Sequence, residues 1–220
     1  MTDLFLSRLH FPVTTLGPGR RIGLWVQGCS IRCPGCISAD TWARGRQATT
    51  VSSLLAAMAP WLGSADGLTL TGGEPLEQAM ALETLLRALR GRFAGDVLLY
   101  SGRPRAAALG HPLVKSGLID AIIPEPYDRT APQTRALRGG DNQPMILLTP
   151  LGRARFGPLI DAPPERALDV MFELTGDRPT VWFAGIPAPG DFARLEKRLR
   201  REGHTVNTSR DQRPGAAPDR

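Results

Sequence analysis

The chain reads as an α/β protein built on a parallel sheet, followed by a smaller α+β segment. Two patterns predict this. Between residues 22 and 149, short apolar runs alternate with longer amphipathic stretches, as strands joined by crossover helices do. Beyond Pro150 the alternation stops, and two β-rich runs lead into one amphipathic helix. A third observation bears on where ligands would sit. The first three apolar runs lead into Gly28, Gly72 and Gly102, and parallel sheets place ligands beyond the carboxyl ends of their strands.

Taken in order, residues 22–27 read as a strand centred on Leu24, Trp25 and Val26, and 51–62 as a helix. Residues 67–71 form the next strand. The stretch 76–92 is a helix, because Leu82, Leu85, Leu86 and Leu89 recur at i, i+3, i+4 and i+7. A strand over 96–101, a helical stretch over 106–115 and strands over 118–123 and 145–149 complete the alternation. In the C-terminal segment, 167–175 and 180–186 read as strands about the turn Gly176-Asp177-Arg178-Pro179. Residues 191–201 read as a helix with Phe192, Leu195 and Leu199 on one face. That segment is either an added subdomain or the last strands of the same sheet. From residue 205 onward hydrophobic periodicity is absent, and a disordered tail is expected.

At 220 residues the chain has room for one domain with a real core, plus an appendage. No apolar run reaches the roughly 18 residues a membrane helix needs, so no span is expected. The net charge is +6, from 27 basic and 21 acidic residues. That excess suits nucleotides or an acidic protein face. The arginines are dispersed and no basic stripe is interleaved with aromatics, which argues against nucleic acid. With no targeting segment and reduced cysteines, the cytoplasm is the expected compartment.

The three cysteines, Cys29, Cys33 and Cys36, form Cys-x3-Cys-x2-Cys directly after the first predicted strand. Three thiolates on one short loop suit three corners of a cubane iron–sulfur cluster, and no fourth cysteine closes the last corner, as four do in ordinary electron-transfer [4Fe–4S] proteins. One iron would then stay open to an outside molecule. A disulfide framework needs paired cysteines. A structural zinc site needs four ligands, and His10, His111 and His204 are not at ligand spacing from the cysteines. Pro34 and Gly35 permit a tight turn that aims amide N–H groups at cluster sulfurs. Arg32 either places a positive charge near the cluster or faces solvent. Trp25 and Trp42 read as packing residues.

Gly72-Gly73-Glu74-Pro75 is the second motif. Glycines allow a ligand to approach the main chain, although the same residues also describe a plain strand-to-helix turn with proline at the first helical position. Its place one helix and one strand after the cysteine loop gives it weight.

Together these residues resemble the radical S-adenosylmethionine (SAM) superfamily. Trp25-Val26-Gln27-Gly28-Cys29-Ser30-Ile31-Arg32-Cys33-Pro34-Gly35-Cys36 with Thr41-Trp42, then Leu70-Thr71-Gly72-Gly73-Glu74-Pro75-Leu76, Tyr100-Ser101-Gly102 and Leu137-Arg138-Gly139-Gly140-Asp141-Asn142-Gln143, are more narrowly similar to activating enzymes of anaerobic ribonucleotide reductase. The resemblance spans residues 10–150. It implies a partial (β/α) barrel, with residues 1–150 as the radical SAM core, 151–204 as a C-terminal extension and 205–220 as the tail. It implies that Cys29, Cys33 and Cys36 hold a [4Fe–4S] cluster and that SAM chelates the open iron. Gly72, Gly73 and Glu74 would bind the SAM amino group, and Ser101 and Asn142 its carboxylate or ribose. Reductive cleavage of SAM would give a 5′-deoxyadenosyl radical that takes hydrogen from a glycine of a partner glycyl radical enzyme, with flavodoxin or ferredoxin as electron donor.

The chain departs from that group at Pro124-Glu125-Pro126-Tyr127-Asp128, at Arg103, at Gly140-Asp141, and in the whole segment after Pro150. The departures leave the radical chemistry in place and open the identity of the partner. Two other readings therefore stand beside the activase: a radical SAM enzyme with a different peptide, protein or small-molecule substrate, and a non-catalytic iron–sulfur redox or sensor protein.

Overall fold

A computed structural model describes residues 3–45, 48–165, 167–175 and 178–205. Among these, ten strands form: β1 (Asp3–Leu4), β2 (Leu6–Val13), β3 (Arg21–Val26), β4 (Thr49–Thr50), β5 (Gly67–Gly72), β6 (Asp96–Tyr100), β7 (Ala121–Ile123), β8 (Ile146–Leu147), β9 (Leu168–Thr175) and β10 (Arg178–Gly185). The α-helices are α1 (Val51–Met58), α2 (Ala79–Leu89), α3 (Arg105–Gly110), α4 (Pro112–Lys115), α5 (Pro150–Phe156) and α6 (Asp191–Arg201).

The main sheet has the order β2-β3-β5-β6-β7-β8. β3, β5, β6 and β7 run parallel, while β2 and β8 add antiparallel edges. The sheet is open, with β2 and β8 as its two edges. β1 and β4 pair with each other apart from it.

The parallel strands alternate in a way that gives the sheet two unlike faces. Ile22, Leu24 and Val26, Leu68 and Leu70, Val97 and Leu99, and Ile122 point to one face, where α1, α2, α3 and α4 close over them as the main core. The amphipathic stripe foreseen in α2 is buried there: Leu82, Leu85, Leu86 and Leu89. The opposite face carries Arg21, Gly23 and Trp25, then Gly67, Thr69 and Thr71, then Asp96, Leu98 and Tyr100. It is covered by α5 at the β7–β8 end and by the β9–β10 hairpin at the β2–β3 end.

Several boundaries differ from the sequence expectation for physical reasons. The helix expected over 76–92 opens as a 3-10 turn, Pro75–Gln78, and turns α-helical at Ala79. The Gln78 side chain bonds the main chains of Phe5 and Gln27, and its own backbone lies outside the helical region. The strand expected over 118–123 is limited to β7, and that over 145–149 is the short β8, antiparallel rather than parallel. β2 and α5 had no counterpart in the expectation. α5 starts where the Thr149 hydroxyl accepts the Gly152 N–H and donates to Asp120.

β9 and β10 form their own antiparallel two-stranded sheet rather than the last strands of the main one. Met171 and Ala184 pack on Val13, Leu16 and Trp25. α6 begins and ends as the sequence predicts. Residues 176 and 177 of the expected turn, and 206–220 of the expected tail, lie outside the described residues. Among the described residues no helix is long and apolar enough to cross a membrane.

Candidate functional site

The cysteine loop leaves β3 and is closed at its base by the main chain. Gly28 N–H donates to the Thr41 carbonyl at 2.7 Å and Cys29 N–H to the Trp42 carbonyl at 3.0 Å. Within the loop, Cys36 N–H donates to the Cys33 carbonyl at 3.1 Å, and Arg32 and Gly35 take left-handed backbone angles. The tight turn expected at Pro34-Gly35 is therefore present. Ser30 is tied to the Glu77 carboxylate through its N–H and its hydroxyl.

The three thiols are free and half-buried. Burial pushes the Cys29 thiol up; the N–H groups of Arg32 and Ile31 pull it down, and the Glu74 and Glu77 charges add to the rise. Burial also pushes Cys36 up, against the Ser38 N–H and the Trp42 indole N–H. These donors surround the sulfurs as amides surround cluster thiolates. Among the described residues no three Cys, His, Asp or Glu side chains are grouped tightly enough to hold one metal ion. The three thiols line one cavity, and thiolate sulfur is the donor that holds an iron–sulfur cluster.

Gly72 and Gly73 bring the end of β5 against this loop. Gly73 N–H donates to Val26 O at 2.8 Å and Glu74 N–H to Gly28 O at 2.9 Å. A Cβ on Gly73 would stand 2.1 Å from the Gly28 carbonyl oxygen, and Gly72 has a φ of +97° with backbone of Trp25 and Val26 closing on it. Only glycine fits this approach. Glu74 is fully buried. Its carboxylate accepts from Leu76 N–H at 3.0 Å, the Ser101 hydroxyl at 2.9 Å and Gly102 N–H at 2.8 Å. Burial pushes this carboxyl up, against those donors and the Arg103 charge. Glu74 thus pins the β5 loop to the β6 loop.

These loops open on one cavity of about 530 Å³. Cys29, Cys33 and Cys36, Gly72, Gly73 and Glu74, and Ser101 all line it. Asn142 is not among the lining residues: its amide donates to the Pro126 carbonyl. Its neighbour Gln143 does face the cavity, and its side chain clamps Gly139 to Glu125. Arg32 is exposed and outside the lining.

Residues that the sequence did not flag also line it. Arg8, on β2, pairs with Asp40 beyond the cysteines and lies 3.7 Å from the Trp182 ring centroid. The opposite wall comes from the end of β10, the following segment 186–190, and Phe192, Leu195 and Leu199 of α6. The one available signal for this wall was the apolar stripe of α6, which spacing alone assigns to packing.

The family model for 4Fe-4S single cluster domains matches residues 15–146. The chain belongs to the 4Fe-4S single cluster domain family. It is 34% identical to the anaerobic ribonucleoside-triphosphate reductase-activating protein of Enterobacteria phage T4 over 133 residues, 58% of this chain and 83% of that protein. It is 37% identical to the pyruvate formate-lyase-activating enzyme of Staphylococcus epidermidis over 83 residues, 35% of this chain and 33% of that enzyme. It also overlaps QueE from Escherichia coli at 17% identity and a TM-score of 0.40, across 46% of this chain and 54% of that one. This chain is a radical SAM enzyme whose cofactors are a [4Fe–4S] cluster and SAM. The β9–β10 hairpin and α6 lie beyond the matched residues.

Proposed function

We propose that this enzyme installs a glycyl radical on a partner enzyme of the anaerobic ribonucleotide reductase class. The observation that carries the proposal is the convergence of the three thiols, Gly72-Gly73 and Ser101 on one cavity at the carboxyl ends of β3, β5 and β6. The activating role of the T4 and staphylococcal relatives supports it. On this reading the open sheet is a partial (β/α) barrel, with the face that carries Trp25, Thr71 and Tyr100 as its inside.

Cys29, Cys33 and Cys36 would ligate the cluster. The Gly72-Gly73 backbone would receive the SAM amino group. Glu74 would act by holding that backbone and by fixing Ser101 and Gly102, since its carboxylate is already taken. Ser101 stays a candidate for the SAM carboxylate or ribose; for Asn142 the lining residue Gln143 is the better placed neighbour. When bound, the cluster supplies the electron that splits SAM into methionine and a 5′-deoxyadenosyl radical. The protein's part is to orient the reactants and exclude water. The apolar wall of β10 and α6 serves the second task.

A second reading, a different protein or peptide substrate, is favoured by one observation: that wall lies outside the matched residues 15–146 and still lines the cavity. One anaerobic experiment separates the two. The reconstituted, reduced enzyme is mixed with SAM and the same organism's glycyl radical reductase, and the glycyl EPR signal and 5′-deoxyadenosine are followed together. A glycyl signal supports the activase. Deoxyadenosine alone moves the search to other substrates. Cys33→Ala should lose both products, and retained cleavage of SAM would remove Cys33 from the ligands.

A further inference from the structure

Trp42 touches the cysteine loop twice. Its carbonyl holds the Cys29 N–H at 3.0 Å, and its ring lines the cavity beside Cys36. The indole Nε1–H is buried and meets no hydrogen-bond partner at full bonding distance. Among the described residues two other buried side-chain nitrogens share that state, Arg8 Nε and Arg138 Nε. Each of those belongs to a guanidinium with another nitrogen bonded, to Asp40 and to the Ile160 carbonyl respectively. Tryptophan has a single donor, so Trp42 has no such compensation, and an unpaired buried donor is costly. The side-chain group this N–H interacts with is the Cys36 sulfur, which lines the same cavity. A neutral thiol is a weak acceptor; a metal-bound thiolate is a strong one.

We infer that the Trp42 indole N–H is the hydrogen-bond donor to the Cys36 sulfur when that sulfur ligates the cluster, and that this bond makes the cluster easier to reduce. The inference rests on the reading of Cys36 as a ligand. Reduction adds negative charge to the cluster and its sulfurs, so a fixed N–H dipole stabilises the reduced state more than the oxidised one. Trp42 is then a positioning residue that sets a potential. Its carbonyl bond to Cys29 is a main-chain contact and survives a side-chain change.

The test is Trp42→Phe, which keeps the ring and deletes the donor. The loaded variant should match the wild type in iron and sulfide content while its midpoint potential falls. The expected size is about a tenfold loss in the reduction equilibrium, ~59 mV for one electron. A fully loaded variant at the wild-type potential overturns the inference. Should the variant not load, the wild type decides: with 15N-indole label, ENDOR on the reduced cluster should show a nitrogen coupling that persists in Trp25→Phe. No such coupling overturns the inference as well. Cys36→Ala runs alongside. If it keeps a SAM-cleaving [4Fe–4S] cluster, the ligand reading itself fails; if it loses the cluster, a negative Trp42 result counts against Trp42 alone.

Discussion

Glu74 shows how a residue's role changes once its partners are visible. In the sequence it is one of three residues pointing to the SAM amino group. In the fold its two oxygens accept from Leu76, Ser101 and Gly102. Glu74→Ala should therefore lower stability by about 2–3 kcal/mol, because buried donors lose their acceptor, and should weaken SAM binding through disorder of two loops. Thermal unfolding checks the first part: an unchanged melting temperature would sink the pin. The cysteines and glycines were legible because their chemistry is rare and their spacing local. Gln143 and the Trp42 indole were not, since amides and indoles are common and only their neighbours give them a task.

At the scale of elements, one buried cross-brace ties the parallel strands together. Arg21 of β3 reaches under β5, bonding Thr69 Oγ1 at 2.6 Å, the Leu68 carbonyl at 3.0 Å and Asp96 of β6 at 2.5 Å. Arg155 of α5 holds the other Asp96 oxygen at 3.1 Å. Both Arg21 and Asp96 are fully buried side chains, and Gly67 leaves the space the guanidinium fills. Breaking such a pair from one side strands a buried charge. Asp96→Asn should cost about 3 kcal/mol in denaturant unfolding, and Arg21→Met with Asp96→Leu should recover much of it. A single mutant as stable as the wild type would show that the brace carries no load. In the sequence Arg21 and Asp96 look like ordinary charges at strand starts; the register of β3, β5 and β6 makes them a unit.

For the whole molecule, the question is how the C-terminal hairpin is held over the core. Asp169 of β9 accepts from the main-chain N–H and the hydroxyl of both Thr14 and Thr15. Burial works to raise its carboxyl, but these donors outweigh burial and hold it below the ordinary aspartate value of 3.8. The folded state therefore binds this proton less readily than the unfolded state. The docking contribution is complete above about pH 3.8 and is lost as pH falls through the lowered value. His10, lowered by burial against the Asp169 charge, acts in a separate window: its contribution is lost as pH falls from 6.5 through its own lowered value. Asp169→Asn should open the hairpin at neutral pH, seen as faster hydrogen exchange in β9 and β10, and should erase the wild type's loosening below pH 3.8. Equal exchange in variant and wild type would assign the docking to Met171 and Ala184 instead. Because β10 lines the cavity, the same variant should also uncouple SAM cleavage from radical transfer to the partner, raising abortive 5′-deoxyadenosine.

The α/β alternation, the cysteine loop, the glycine pair and the helix Asp191–Arg201 are readable from the residues alone, because each is written in local spacing. The strand and helix ends shifted where side chains bonded distant groups, Gln78 the Gln27 carbonyl and Thr149 the Asp120 carboxylate. Three features appear only in the assembled fold: the last strands form a separate hairpin, this hairpin closes the cavity, and Glu74 is spent between two loops. The hairpin's seat over the cavity depends on contacts 155 residues apart, as between Thr14 and Asp169, and Glu74 meets Ser101 and Gly102 27 and 28 residues on; no local period encodes contacts of either range.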